Sequence, residues 1–516
     1  MSGDRSRDDS SGRQRGGRSG GGRPHGGQAR SPQNRDGRPR EPRRSEPLRT
    51  EPRRTVQPAR QVAYDVLRAV SESDAYANLI LPPAIAEARL DPQDAALATE
   101  LAYGTLRRRG TYDAIIAAAA DRPAEEIDSV VLDALRLATH QLLATRVASH
   151  AAVNESVNLV AAAKGRGASS FANAVLRRIS RETPGEWEQR IEDSARSDDE
   201  RLALRSAHPV WVIRALRRAL AAEGRADELD DLLDADNASP EVTLVALPGL
   251  AEPGEPRRPY APTAYGSPGG DPHRVIAASG GTVRVQDEGS QLVALAVAAA
   301  APIREGERWL DLCAGPGGKT ALLASIAREH DVTLEANEVV PTRARLVRNA
   351  LRAVPGDVIV HEKDGRSFGA THPGAFDRIL VDAPCTGLGA LRRRPEARWR
   401  KTPADVAELV PLQVELLSSA LDALAPGGIV AYATCSPHLA ETTGVVSEVL
   451  RGRTDITEID ARVVLAGVAD SPIDLGDDGS GRVQLWPHRH GTDAMFLALL
   501  QRDSTDPRDA SAEERD

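Results

Sequence analysis

Apolar residues recur along much of this chain with the spacing i, i+3, i+4 and i+7. ARQVAYDVLRAV, DAALATELAYGTLRRRGTYDAIIAAA, SVVLDALRLATHQLLA, AAVNESVNLVAAAK and FANAVLRRIS all follow it, and this period predicts amphipathic helices. Asp91-Pro92, Asp121-Arg122-Pro123 and Gly165-Arg166-Gly167 separate them as turn signals. Residues 56–182 therefore predict a compact all-helical domain. The next stretch, 183–280, is less regular. HPVWVIRALRRAL reads as a helix, VTLVAL as a short strand, and a loop rich in Pro and Gly follows at 252–271. A small connecting α/β subdomain is expected there, with His208 in a structural role.

From about residue 281 the period changes again. VRVQDEGSQLVALAVAAA gives a strand end and a helix. VTLEANE, DVIVHEKDG, FDRILVDAPC and GGIVAYATC are short apolar runs separated by helical patterns such as ARLVRNALRAV and LVPLQVELLSSALDAL. Strands alternating with amphipathic helices predict a doubly wound parallel sheet, a Rossmann-like α/β domain, over 281–502. A polar tail at 503–516 completes the expected organisation.

Composition changes this picture at the N-terminus. Residues 1–54 hold 15 Arg and 7 acidic residues, a net +8 within a chain of net −9, so the rest carries −17. The tract 1–55 has almost no apolar side chains and is expected to be a disordered arm, able to hold RNA non-specifically or simply to solubilise. An acidic body needs a local basic groove to bind nucleic acid. Arg107, Arg108, Arg109, Arg177 and Arg178 are candidates for one on the helical domain. The chain has only 4 lysines against 62 arginines, and one of the four, Lys319, lies in a glycine loop. Three cysteines exclude a disulfide framework. No apolar run is long enough to span a membrane, and the first residues contain no signal-like apolar segment. A cytoplasmic, metal-free monomer is the expectation.

The candidate chemistry centres on LDLCAGPGGKT at 310–320, where a strand runs through a glycine loop into a helix. This geometry brings backbone N–H groups close to a ligand. A triphosphate-binding loop needs glycine at 313, where Cys313 stands, and a dinucleotide fingerprint needs one at 320, where Thr320 stands. A loop for S-adenosylmethionine is the third possibility. Glu338 ends the next strand, 23 positions beyond Gly315, a separation that suits a ribose diol. Asp364 ends the strand after it, placed to meet an adenine amino group, and Asp382 ends the fourth. Singly, each acid reads more readily as a capping or turn residue; as an ordered set they favour a sulfonium cation over a triphosphate.

All three cysteines fall at predicted carboxyl ends of strands. Cys313 reads as a small buried hydrophobe. Cys385 and Cys435 lie on neighbouring loops above the expected cofactor position. Two thiols over a methyl donor suggest covalent catalysis: a thiolate adding to C6 of a pyrimidine makes C5 nucleophilic. Residue chemistry alone leaves open which thiol attacks.

LDLCAGPGGKT, ANE, DGR, VDAPCTGLGALRRRPEARW and YATCSP together resemble the RNA 5-methylcytosine methyltransferases. AAVNESVNLV and FANAVLRR resemble the NusB family of RNA-binding helical domains. With HPVW, VQDEGSQL and GTDAMF, they narrow the resemblance to the RsmB/Sun (Fmu) branch over about residues 58–500. That resemblance implies methylation of a cytosine of 16S rRNA, with Cys435 as nucleophile and Cys385 assisting release. It implies that Cys313, Ala314, Gly315, Pro316, Gly317, Gly318, Lys319, Glu338, Asp364 and Asp382 hold S-adenosylmethionine, with Asp382 also meeting the target base. One departure follows Cys435: relatives often carry Glu-Asn where this chain has Glu441 and Thr442. Arg392, Arg393, Arg394 and Arg398, with Trp399, follow the Asp-Ala-Pro-Cys loop and are candidate RNA contacts. Rival expectations are a transfer RNA substrate with the same chemistry, or a non-catalytic, antitermination-type RNA-binding factor.

Overall fold

A computed structural model describes residues 56–73, 75–476 and 479–504. They fall within one compact unit that begins at residue 55. The expected arm at 1–55 and all of the tail beyond 504 lie outside the described residues.

The helical domain forms as the periodicity predicts. Its helices are Pro58–Glu72, Ala77–Glu87, Pro92–Arg107, Arg109–Ala120, Ser129–Ala144, Ser149–Lys164 and Arg166–Ile179. Starts are marked by capping chemistry: Asp91 accepts from the Asp94 backbone N–H, and Pro92 occupies the first turn. Ser129–Ala144 is buried along most of its length, and its Arg136 is held by Asp113 and Asp133. The core extends past the expected boundary at 182. The next helix, Pro184–Asp193, starts with a Thr183–Glu186 capping box and adds Trp187 and Ile191 to the same apolar cluster. Of the arginines suggested for an RNA-facing surface, Arg107 is buried, whereas Arg108, Arg177 and Arg178 are exposed.

The connecting region is more helical than expected. Asp198–Ser206, Val210–Ala222 and Leu229–Asn237 pack through Leu216, Leu220, Leu232 and Leu233 against Leu388, Leu391, Ala397 and Trp486 of the catalytic domain. A small antiparallel sheet follows, in the order β2-β1-β3, from β1 (Thr243–Ala246), β2 (Ala264–Gly266) and β3 (Val283–Val285).

The catalytic domain is built on β4 (Arg308–Asp311), β5 (Thr333–Asn337), β6 (Ile359–His361), β7 (Phe376–Asp382), β8 (Leu424–Thr434), β9 (Ile456–Ile459), β10 (Val483–Gln484) and β11 (Phe496–Arg502). Neighbours run β6-β5-β4-β7-β8-β11-β10, with β9 also on β11. The first five are parallel, as expected, but β9, β10 and β11 are antiparallel additions, so the sheet is mixed. FLALLQR supplies β11; a short apolar run of this kind does not announce by periodicity whether it is strand or buried helix. Helices cover both faces, because successive strand residues point to opposite sides. Trp309 joins one apolar cluster with Leu322 and Leu323, and Leu310 the other with Leu417 and Leu421. Among the described residues no helix is long and apolar enough to cross a membrane.

Candidate active site

The strand order brings the expected residues to one edge in sequence: Asp364 beyond β6, Glu338 beyond β5, the glycine loop beyond β4, Asp382 at the end of β7 and Cys435 beyond β8. The loop requires its glycines for identifiable reasons. A Cβ on Gly315 would lie 2.1 Å from Glu338 Oε2. Gly317 has φ +106°, and a Cβ there would lie 2.7 Å from that of Ala350. Without those side chains, Glu338 reaches the loop. Its Oε2 accepts from the Gly315 N–H at 3.1 Å and its Oε1 from the Val340 N–H at 3.0 Å. Arg343 donates to the Gly315 carbonyl at 2.7 Å. Gly318 opens the helix Gly318–Glu329.

Beneath the loop, Asp311 is fully buried and accepts from Thr320 Oγ1 at 2.7 Å; burial pushes its carboxyl up to about 7. Burial, with Asp311 nearby, likewise raises the Cys313 thiol, which makes it a poor nucleophile. Asp364 is half-exposed and held by Arg366, whose hydrogen bonds keep its carboxyl below the ordinary range. Lys319 Nζ donates to Asp382 Oδ2 at 2.9 Å. Burial alone would lower this lysine, but the Asp382 charge outweighs it and holds the ammonium above its ordinary value.

Cys385 Sγ and Cys435 Sγ are 3.5 Å apart. Either sulfur can donate across this contact, and the groups around each one make the pair unequal. Cys435 is lowered chiefly by accepting from Cys385, with help from the positive charges of Arg394 and Lys319 and against burial and Asp382. Cys385 is raised well above its ordinary value by that same bond, by burial and by the negative charge of Glu441. The sequence alone leaves the choice of nucleophile open; the electrostatics favour Cys435 as the thiolate.

The two cysteine loops are laced together. The Gly389 N–H donates to the Cys435 carbonyl at 2.8 Å, and the Ala494 N–H to the Gly389 carbonyl at 2.8 Å. Asp493, in the late GTDAMF stretch, is fully buried and receives Arg393 through both carboxylate oxygens. The Asp493 N–H in turn donates to Asp287 Oδ1 at 3.1 Å. Glu441, noted from sequence only as a departure, is fully buried behind both loops. Asp287, Asp493 and Glu441 are the residues the sequence does not single out as parts of the site.

The arginine run divides. Arg398 is fully buried and bonds to Ala207, Asp236 and Asn237 of the connecting region. Arg392 is buried and donates to the Gly491 carbonyl at 3.0 Å. Trp399 packs so tightly on Gly110 that a Cβ there would lie 2.1 Å from its ring. Arg398 and Trp399 join domains and Arg392 is tied down within its own, so none of the three offers an outward grip. Arg394 is exposed, with its guanidinium 5.4 Å from the Tyr76 ring centroid, and remains available to a ligand. Among the described residues no group of three or more His, Cys, Asp or Glu side chains could hold a metal ion.

Comparison with known proteins identifies the family and the fold. Residues 298–501 match the family model described as 16S rRNA methyltransferase RsmB/F, and residues 57–181 match the NusB family. The chain is 48% identical to "Putative methyltransferase Rv1407" of Mycobacterium tuberculosis strain H37Rv, over 87% of this chain and 97% of that one. It is 31% identical to ribosomal RNA small subunit methyltransferase B of Erwinia tasmaniensis, over 86% of this chain and 98% of that one. The crystal structure of PH0851 shares the fold, with a TM-score of 0.73 and 22% identity over 87% of this chain and 99% of that one.

Proposed function

The chain belongs to the 16S rRNA methyltransferase RsmB/F family, and from that premise we propose that it methylates carbon 5 of one cytosine in 16S rRNA through a covalent bond from Cys435. The donor is S-adenosylmethionine. The residues at the strand ends fit that donor. Gly315 and Gly317 keep the loop free of side chains that would fill it. Each oxygen of Glu338 holds one backbone N–H, and with Arg343 Nε 3.4 Å from Oε2 it is Oε1 that keeps an acceptor position for a ribose hydroxyl. The carboxylates at three of the strand ends balance Lys319, Arg343 and Arg366 beside them, so these pairs present no excess positive charge to a cationic ligand. Cys313, Ala314, Gly315, Pro316, Gly317, Gly318, Lys319, Glu338, Asp364 and Asp382 are the residues that would hold it.

The protein's own groups then carry the chemistry. The Cys435 thiolate, held in reach by Cys385 and stabilised by Arg394 and Lys319, adds to C6 of the cytosine. The new C–S bond moves the C5=C6 electron pair onto C5. Asp382 receives hydrogen bonds from the base and favours a proton on its ring nitrogen, which offsets that charge. When bound, the cofactor supplies the electrophilic methyl group that C5 takes up. A base then removes the C5 proton; its electron pair restores C5=C6 and expels the Cys435 thiolate. Cys385, which keeps its proton, hydrogen-bonds to the departing sulfur.

The observation that carries the proposal is the 3.5 Å approach of two unequal thiols at the ends of β7 and β8, beside the Lys319–Asp382 pair. Cys385→Ala tests it. That variant should accumulate a protein–RNA complex that survives denaturing electrophoresis, and Cys385→Ala combined with Cys435→Ala should form none. Failure of the single variant to trap any RNA that the wild type methylates would refute the release role.

A further inference from the structure

We propose that Glu441 is the positioning residue for the thiol pair: one buried carboxylate that fixes both cysteine loops. The geometry is specific. Thr386, directly after Cys385, donates to Glu441 through its backbone N–H at 2.8 Å and through its hydroxyl. Ser436, directly after Cys435, donates through its hydroxyl at 2.6 Å. Gln413 donates to Glu441 at 3.3 Å and to the Pro384 carbonyl at 2.8 Å, so Cys385 is bracketed on both sides. The Tyr432 hydroxyl holds the Glu441 backbone carbonyl at 2.8 Å. Residues 50 positions apart in the chain are thereby drawn to one carboxylate, and the sulfurs meet as a consequence.

The placement also sorts charge. Around Cys435 stand Lys319, Arg394, Arg393 and Asp382; around Cys385 stand Glu441, Tyr432 and the other thiol. Cations lie beside the nucleophile, and Glu441 lies among the groups beside its partner. Negative charge on the facing sulfur and on Glu441 disfavours ionisation of Cys385.

This inference rests on the two thiols being the reacting pair, so its first test uses no RNA and turnover serves as a second. The pH dependence of iodoacetamide alkylation is followed at each cysteine by peptide mass spectrometry in the full chain. Glu441→Gln preserves volume and, with the Thr386 and Ser436 hydroxyls turned to accept from the amide, most of the hydrogen bonds. It should move the Cys385 alkylation midpoint to lower pH by about one unit and move Cys435 less. Thr386→Val, which leaves the carboxylate in place, should leave the Cys385 midpoint where it is. In turnover assays Thr386→Val and Ser436→Ala should lower kcat several-fold, with KM for RNA unchanged. An unmoved Cys385 midpoint in Glu441→Gln overturns the proposal, as does a change confined to KM in the two hydroxyl variants. If the midpoint shifts as expected but the wild type methylates no cytosine, the proposed reaction fails while the role of Glu441 stands.

Discussion

Arg398→Ala and Arg394→Ala remove two members of one arginine run and should fail in different ways. Arg398 is fully buried; its Nη1 donates to the Ala207 carbonyl at 3.2 Å and Asn237 Oδ1 at 2.7 Å, and its Nη2 to the Asp236 carbonyl at 3.1 Å. Truncation leaves two buried carbonyls and the part-buried Asn237 Oδ1 without this donor. Each such orphan costs about 1–3 kcal/mol, and losses at adjacent groups do not simply add. Removing a buried cation also returns part of its desolvation cost. The net loss should be roughly 2–4 kcal/mol. Trp399 and Trp486, which lie at the same junction, report it in urea unfolding followed by fluorescence. Arg394→Ala, at an exposed position, should leave the urea curve unchanged. It should instead weaken binding of a single-stranded rRNA fragment and reduce the slope of log K against log salt by about 0.7, the signature of one lost phosphate contact. The assignment is refuted if Arg398→Ala retains wild-type stability while flattening the salt slope.

Other outcomes follow from the same geometry. Gly315→Ala drives a methyl group into Glu338 and should weaken S-adenosylhomocysteine binding at least tenfold by calorimetry; unchanged affinity would mean that the loop does not hold the cofactor. Asp311 titrates near 7 in the folded protein against an ordinary 3.8, so the folded protein binds more protons than the unfolded chain between those values. Its protonated form therefore adds stability that is fully present below about pH 4 and lost as pH rises through about 7. Asp311→Asn should exceed the wild type by up to roughly 4 kcal/mol at pH 8, and the gap should close toward pH 4. Parallel unfolding curves for the two proteins across that range would contradict the buried-acid account.

Much of the site is legible in the sequence because its parts are local. A strand, a glycine loop and a helix are written consecutively at 310–320, and the acids close successive strands, so the topology of a parallel sheet aligns them. The cysteine loops are placed by the same rule. What the sequence does not disclose is set by tertiary contact. A run of arginines does not say which of them turns inward; the connecting region commits Arg398, and the Gly491 carbonyl with the Asp287 and Asp493 carboxylates commits Arg392. Glu441 draws donors from residues 386, 413 and 436, and Asp493 meets Asp287 across 206 positions. No local pattern encodes those meetings. The antiparallel strands β9, β10 and β11 escape for a different reason: β9 and β10 are very short, and FLALLQR carries no alternation to mark β11.

The central claim, a methyl group placed on a 16S rRNA cytosine by way of Cys435, is tested most directly by bisulfite sequencing of ribosomal and transfer RNA from cells with and without this gene. Deletion should abolish the protected signal at one 16S cytosine, and the wild-type chain should restore it while Cys435→Ala, expressed at equal level, does not. Loss of a transfer RNA signal instead would keep the chemistry and move the substrate. Restoration of the 16S signal by Cys435→Ala would contradict the account.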